Sequence, residues 1–313
     1  MLSRAAANLY WLARYMERAD NVARILEVAE RASIMPNSAG EPQSEWHSVV
    51  IASGNEQGYF ERYDEISREK VVHYLTIDTS NPGSIRSCIE KARANARAVR
   101  TVLTSDIWEA LNQTWLDLIG DKREDVARGE LQAFLAWVKE RAQMFSGGAH
   151  ATMLRDEGYW FLRLGTMIER ADNTARILDV KYHILLPADE GIGGGMDYYQ
   201  WTVLLRSVSA SRSYYYRYRD TLRPWQIAEF LILSEEMPRS LIACVAEVHS
   251  LLDEIAKLDG RRHECHRLAG QIYSHLRYAR IGDIFETGLH EFLVEFIDRN
   301  HRVSDEIADA YLQ

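Results

Sequence analysis

The sequence predicts an all-α protein, a helical bundle built from two tandem copies of a multi-helix unit of about 150 residues related by a pseudo-twofold. Three observations predict it. Apolar residues recur at three- and four-residue steps through long runs of the chain, the spacing of one face of an α-helix. Runs of period two, the mark of half-buried strands, are scarce. One stretch occurs twice: Glu17-Arg18-Ala19-Asp20-Asn21-Val22-Ala23-Arg24-Ile25-Leu26-Glu27-Val28 matches Glu169 through Val180 at ten of twelve positions, far beyond what shared helix propensity produces.

From Leu9 to Val28 the helical face is Leu12, Tyr15, Met16, Ala19, Ala23 and Leu26. Residues 35–57 read as an irregular linker. Val71 through Ile77 has strand propensity, but a single such segment cannot build a sheet, so it reads as the end of a helix. A helix over 82–104 starts at Pro82, which is tolerated in a first turn, with Asn81 or Ser80 as its cap. Further helical runs cover 124–146, 152–186, 198–218, 238–257 and 285–311. Between them, 187–197 reads as a flexible connection carrying Gly193-Gly194-Gly195; it follows a helix and lacks the Lys-Ser/Thr ending of a phosphate-binding loop.

The repeat extends beyond its first helix. Pro82, Ser84, Ile85 and Cys88 face Pro238, Ser240, Leu241 and Cys244, while Phe134-Leu135, Arg141 and Ser146 face Phe292-Leu293, Arg299 and Ser304. The offset drifts only from 152 to 158 residues, which divides the chain into 1–150 and 151–313, two repeats packed as one domain.

Composition narrows the function classes. With 37 Lys and Arg against 46 Asp and Glu, the net charge of −9 makes a poor phosphate-backbone binder, so no nucleic-acid partner is expected. No stretch approaches the roughly 20 apolar residues that span a bilayer. The start lacks a signal-peptide pattern, and the widely spaced Cys88, Cys244 and Cys265 read as reduced thiols, so a cytoplasmic setting is expected.

The candidate site lies on the repeated helix. Arg14, Glu17, Asn21 and Arg24 stand at steps of three, four and three, one polar stripe on an otherwise apolar helix. Arg18 lies about 100° from Glu17, and Asp20 is one turn from Arg24. The second stripe is Glu169, Asn173 and Arg176 with Arg170 alongside; Thr166 falls where Arg14 would, and Arg163 sits one turn earlier. Two readings stay open. One is an interhelical ion network that fixes packing. The other is a pocket in which arginines bind a carboxylate or phosphate and a glutamate acts as general acid or base.

Other constellations are less promising. His263-Glu264-Cys265-His266 gathers ligand types in one half only, on neighbouring positions that cannot all face one ion, so no metal is expected. No nucleotide-binding motif is legible either, and no cofactor is implied. Cys88 and Cys244 fall on apolar-periodic positions and read as packing residues. Ser211 through Arg219 interleaves tyrosines and arginines, but Tyr214 and Tyr218 share a helix face and read as packing. Trp108, Trp115, Trp137, Trp160 and Trp201 read as core or interface residues.

The opening Leu9-Tyr10-Trp11-Leu12-Ala13-Arg14-Tyr15-Met16-Glu17-Arg18, Asn81-Pro82-Gly83-Ser84, Asn95 through Arg100, Trp160 through Asp179 and Gly288 through Leu293 together resemble the bacterial alpha-E domain family, all-helical proteins with a Glu-Arg signature. The resemblance covers essentially the whole chain. It implies a companion of a circularly permuted ATP-grasp ligase, with a transglutaminase-like peptidase as another partner, and so a part in making or modifying a peptide by binding peptide or amino-acid substrate. The alternatives are a stand-alone enzyme acting on peptide or amide bonds through the Glu-Arg helices, and a helical scaffold without chemistry.

Overall fold

The computed structural model describes residues 2–33, 43–122, 126, 129–185, 195–219 and 221–313. They form fifteen α-helices and one short π-helical turn, and the described residues include no strand. The first helix, α1 (Ser3–Ser33), buries Leu9, Leu12, Met16, Ala19, Ala23 and Leu26. Its 31 residues make a rod of about 46 Å. It is followed by α2 (Gln43–Ala52), α3 (Glu56–Phe60), α4 (Arg68–Thr76), α5 (Ile85–Ala98), α6 (Ser105–Asp117) and α7 (Leu131–Thr152). The second long helix is α8 (Glu157–Leu185). After it come α9 (Gly195–Ser207), α10 (Ser211–Tyr218), α11 (Pro224–Leu233), α12 (Leu241–Asp259), α13 (Glu264–Tyr278), α14 (Ile281–Thr287) and α15 (Leu289–Tyr311).

The two long helices pack on each other more extensively than any other pair. Around them α5 and α7 lie on α1, while α12 and α15 lie on α8. The next helices cross over: α2 packs on α8, and α9 packs on α1. One continuous hydrophobic core therefore runs through both halves of the chain. At Gly165 a Cβ would sit 2.2 Å from the carbonyl oxygen of Tyr10, so the backbones of α1 and α8 touch there.

Local chemistry sets several boundaries. Ser84 caps α5 by accepting from the Ser87 amide, and Ser240 caps α12 by accepting from the Ala243 amide. This corrects the expected cap: Asn81 is buried and instead bonds the Gly83 amide and the Tyr74 carbonyl. Residues 71–77 are helical through Thr76, as expected. The linker read over 35–57 holds a helix, because Trp46, Val49 and Val50 on α2 are buried; residues 34–42 lie outside the described residues. Of 187–197, residues up to 194, Gly193 and Gly194 included, lie outside them too, and Gly195 opens α9.

Two expected helices are each divided. Ser209 takes φ +57° and ends α9 before α10, and Gly288 at φ +107° separates α14 from α15. On α10, Tyr214 is fully buried with the tilted Tyr218 ring 4.8 Å away, the packing face read from the sequence. Among the described residues, no helix is long and apolar enough to cross a membrane.

Candidate functional site

The polar stripes of α1 and α8 face each other across the central crossing. Arg18 donates through Nε to Oε1 of Glu169 at 2.5 Å and through Nη2 to Oε2 at 2.9 Å. Arg170 returns the same fork to Glu17, with both distances 2.9 Å. Each Glu-Arg pair is therefore split between the helices, glutamate on one and guanidinium on the other. The planar, two-donor fork suits a carboxylate in a way a lysine could not.

A second layer of cations completes each carboxylate. Arg14 gives Nε to Glu169 at 2.8 Å and Nη1 to Ser304 at 2.7 Å, and its guanidinium lies over the Trp11 ring. Glu17 receives Nη1 of Arg239 at 3.0 Å, and the same guanidinium reaches Asp20 at 2.8 Å. Asp20 also accepts from Arg24 at 2.7 Å, whose Nη1 continues to the Ser207 carbonyl at 2.5 Å. Asp172 accepts from Arg176 at 2.7 Å and has His301 Nε2 2.9 Å from its other oxygen. Glu17, Asp20, Glu169 and Asp172 are all buried; the first three each have two guanidinium partners, and Asp172 has Arg176 and His301.

Thus the structure joins nine of the ten expected residues around the α1–α8 contact: Arg14, Glu17, Arg18, Asn21, Arg24, Glu169, Arg170, Asn173 and Arg176. Arg163 does not join them. It forms its own fork to Glu247 on α12, because position 163 faces that helix and not α1. Thr166, in the place of Arg14, turns its hydroxyl to the Leu162 carbonyl on its own helix. Arg239, His301, Ser304 and Lys91 were missed, since none belongs to a repeated stripe.

The electrostatics follow from this packing. Burial works to raise the Glu17 carboxyl, but the Arg170 and Arg239 guanidiniums outweigh it and hold the pKa at about 2. Glu169 and Asp172 are likewise held below their ordinary values despite burial, by Arg18 and Arg14 in one case and by Arg176 and His301 in the other. These folded-state values are depressed, so the stability they confer is complete above about pH 4.5, the ordinary glutamate value, and is lost as pH falls toward about 2. Thermal melts between pH 7 and pH 2.5 should therefore show a steep loss below pH 4.5. A melting temperature flat to pH 3 would contradict the clamp. Burial pushes the Cys88 and Cys244 thiols up to about 12, which makes them packing groups and not nucleophiles.

Beside the Arg18–Glu169 pair opens a cavity of about 410 Å³. Arg18, Asn21, Glu169, Asn173 and Arg176 line it, joined by Lys91 from α5 and His301 from α15. Arg14, Glu17, Arg24 and Arg170 do not. Among the described residues no three His, Cys, Asp or Glu side chains form a metal-binding group. In the His263-Glu264-Cys265-His266 stretch, His266 accepts from the His263 amide as part of the α13 start.

Over 98% of its length the chain is 26% identical to an uncharacterized protein of Mycobacterium bovis and to uncharacterized proteins of two Mycobacterium tuberculosis strains. It spans only 36% of the length of these curated relatives. No solved structure matches it. Residues 1–312 match the family described as a predicted alpha-helical domain with a conserved ER motif, and with Glu17-Arg18 and Glu169-Arg170 locked across its two central helices the chain belongs to this Alpha-E family.

Proposed function

We propose that this chain is the substrate-binding companion of an ATP-grasp amide or peptide ligase, holding the carboxylate of a peptide or amino acid during its synthesis or modification. The observation that carries the reading is the cavity beside Arg18 and Glu169, which guanidinium, ammonium and amide side chains line. The family resemblance supplies the partner's class. The relatives' greater length supports it, since there this unit makes up 36% of a longer polypeptide. A transglutaminase-like peptidase is the second candidate partner, and a cytoplasmic setting fits the three free, buried thiols.

We infer also that residues 1–150 and 151–313 are copies of one ancestral unit. The ten-of-twelve match, the paired serine caps and the reciprocal forks between α1 and α8 all support this.

The stand-alone enzyme reading is weaker on one specific ground. A carboxylate held near pKa 2 between two guanidiniums binds a proton too weakly to serve as a base near neutral pH. The test is co-purification with an ATP-grasp protein from the same genome and amide-forming assays with and without this chain. The expected result is a stable complex and product formation that depends on the chain. Absence of a complex together with unchanged ligase activity overturns the companion role.

A further inference from the structure

The two sides of the α1–α8 contact are alike in their Glu-Arg forks and unlike in what stands beside them. Gly83 lies between Pro82 and the cap Ser84, as Arg239 lies between Pro238 and the cap Ser240. On the Arg239 side the guanidinium spans Glu17 and Asp20. On the Gly83 side Arg14 and His301 take those two places from other directions, beside Glu169 and Asp172. Where one Pro-x-Ser turn carries the Arg239 side chain, the other carries Gly83, which forms part of the cavity lining.

The charge also differs. Lys91, seven residues after the cap Ser84, lines the cavity. Seven residues after the cap Ser240 stands Glu247, which is taken up by Arg163. Around the cavity, Arg18, Lys91, Arg176 and, when protonated, His301 stand with two carboxylates: Glu169, whose oxygens accept from Arg14 and Arg18, and Asp172, whose Oδ2 accepts from Arg176 while its buried Oδ1 lies 2.9 Å from His301 Nε2 without a hydrogen bond. Donors remain. Arg176 commits only Nε to Asp172 among the described residues, and Lys91 gives Nζ to the Pro82 carbonyl at a long 3.3 Å. Asn173 is 4% exposed, and its amide nitrogen is buried with no hydrogen-bond partner. An unpaired buried amide costs about 1–3 kcal/mol, so a donor left this way at a cavity wall marks a place for an acceptor.

We propose that the chain carries one oxyanion site, in the cavity beside Gly83, that takes the carboxylate or phosphate group of a small ligand through Lys91, Asn173, Arg176 and Arg18, and that Arg239 closes its counterpart. This deepens the substrate-binding reading and rests on it. Of the two related turns, the one with no side chain at position 83 lines an open cavity, and the other holds a tethered guanidinium.

Calorimetric titration of the full chain at low ionic strength tests it, with inorganic phosphate in one arm and succinate in the other. One equivalent is expected, with affinity falling as salt is added. The arm that binds more tightly identifies the group. Lys91→Gln is expected to weaken binding about tenfold, the loss of one charge-assisted contact. Gly83→Arg copies the Arg239 side and is expected to abolish binding. Its Cβ would stand 3.3 Å from the Asn81 amide oxygen, so that hydrogen-bonded side chain must give by a few tenths of an ångström. Should that variant not fold, the Lys91 variant decides alone. Failure of both anions to titrate into a cooperatively melting chain overturns the site, as do two equivalents, or unchanged affinity in the Lys91 variant or a folded Gly83 variant. These titrations need no ligase. Anion binding without a ligase complex sinks only the companion role, and a ligase complex without anion binding sinks only the site.

Discussion

Gly165→Ala is expected to cost about 3 kcal/mol or more of unfolding free energy, although it adds one methyl group inside a helix. The added carbon would stand 2.2 Å from the Tyr10 carbonyl oxygen and 3.0 Å from its carbonyl carbon. Both are backbone atoms of α1, so no side chain can swing away, and α1 and α8 must separate by about 1 Å to reach ordinary van der Waals distance. That displacement acts on the whole core. It also stretches the forks from Arg18 to Glu169 and from Arg170 to Glu17, which cross the same interface. Gly147→Ala is the internal control. It too lies inside a long helix, α7, but a Cβ there meets nothing within 4 Å, so the better helix propensity of alanine should stabilise by up to about 1 kcal/mol. Urea unfolding of the two variants, one destabilised and one not, checks the close approach. Equal and small effects would mean that the helices do not touch at Gly165.

The helical class and the stripe were legible because both are written in local spacing. Periodicity placed the apolar face of α1 correctly, and the repeated Glu-Arg-Ala-Asp-Asn run pointed to the helices that meet. Spacing alone could not tell which neighbour each side chain would face. Arg163 and Thr166 are one turn apart on α8, yet the first reaches Glu247 and the second its own backbone. The partners that complete the carboxylates come from far along the chain: Arg239 from the turn before α12, Ser304 and His301 from α15. Their signal was present in a different form, as places where the two halves disagree. A position occupied by glycine in one Pro-x-Ser turn and by arginine in the other is where the two sides diverge. The breaks within long helical runs were hidden for a simpler reason. Ser209 adopts a left-handed backbone without being glycine, and its hydroxyl accepts from Arg24, a partner far off in the chain that composition does not reveal.

Glu17→Gln is expected to destabilise the fold by about 3–5 kcal/mol, the cost of leaving a buried ion network short of one charge. The amide keeps the shape of the carboxylate but presents an NH₂ group, so one of the donors of Arg170 and Arg239 loses its acceptor in a buried setting. The paired variant Glu17→Met with Arg170→Met removes the charge together with its main partner, while Arg239 keeps Asp20. It is therefore expected to recover most of the loss, since an apolar pair of similar volume often matches a buried ion pair in stability. The same comparison separates structure from catalysis. A general base would make Glu17→Gln inactive with a nearly unchanged melt, whereas a clamp makes it unstable and rescuable. If Glu17→Gln melts like the original chain, the clamp is wrong and Glu17 returns as a candidate for chemistry. If the paired variant folds but no longer supports the ligase, the forks set the shape of the cavity through the angle at which α1 and α8 cross. The Glu-Arg signature would then serve binding by holding two helices at one angle, with the ligand contacts made by Lys91, Asn173 and Arg176 beside it.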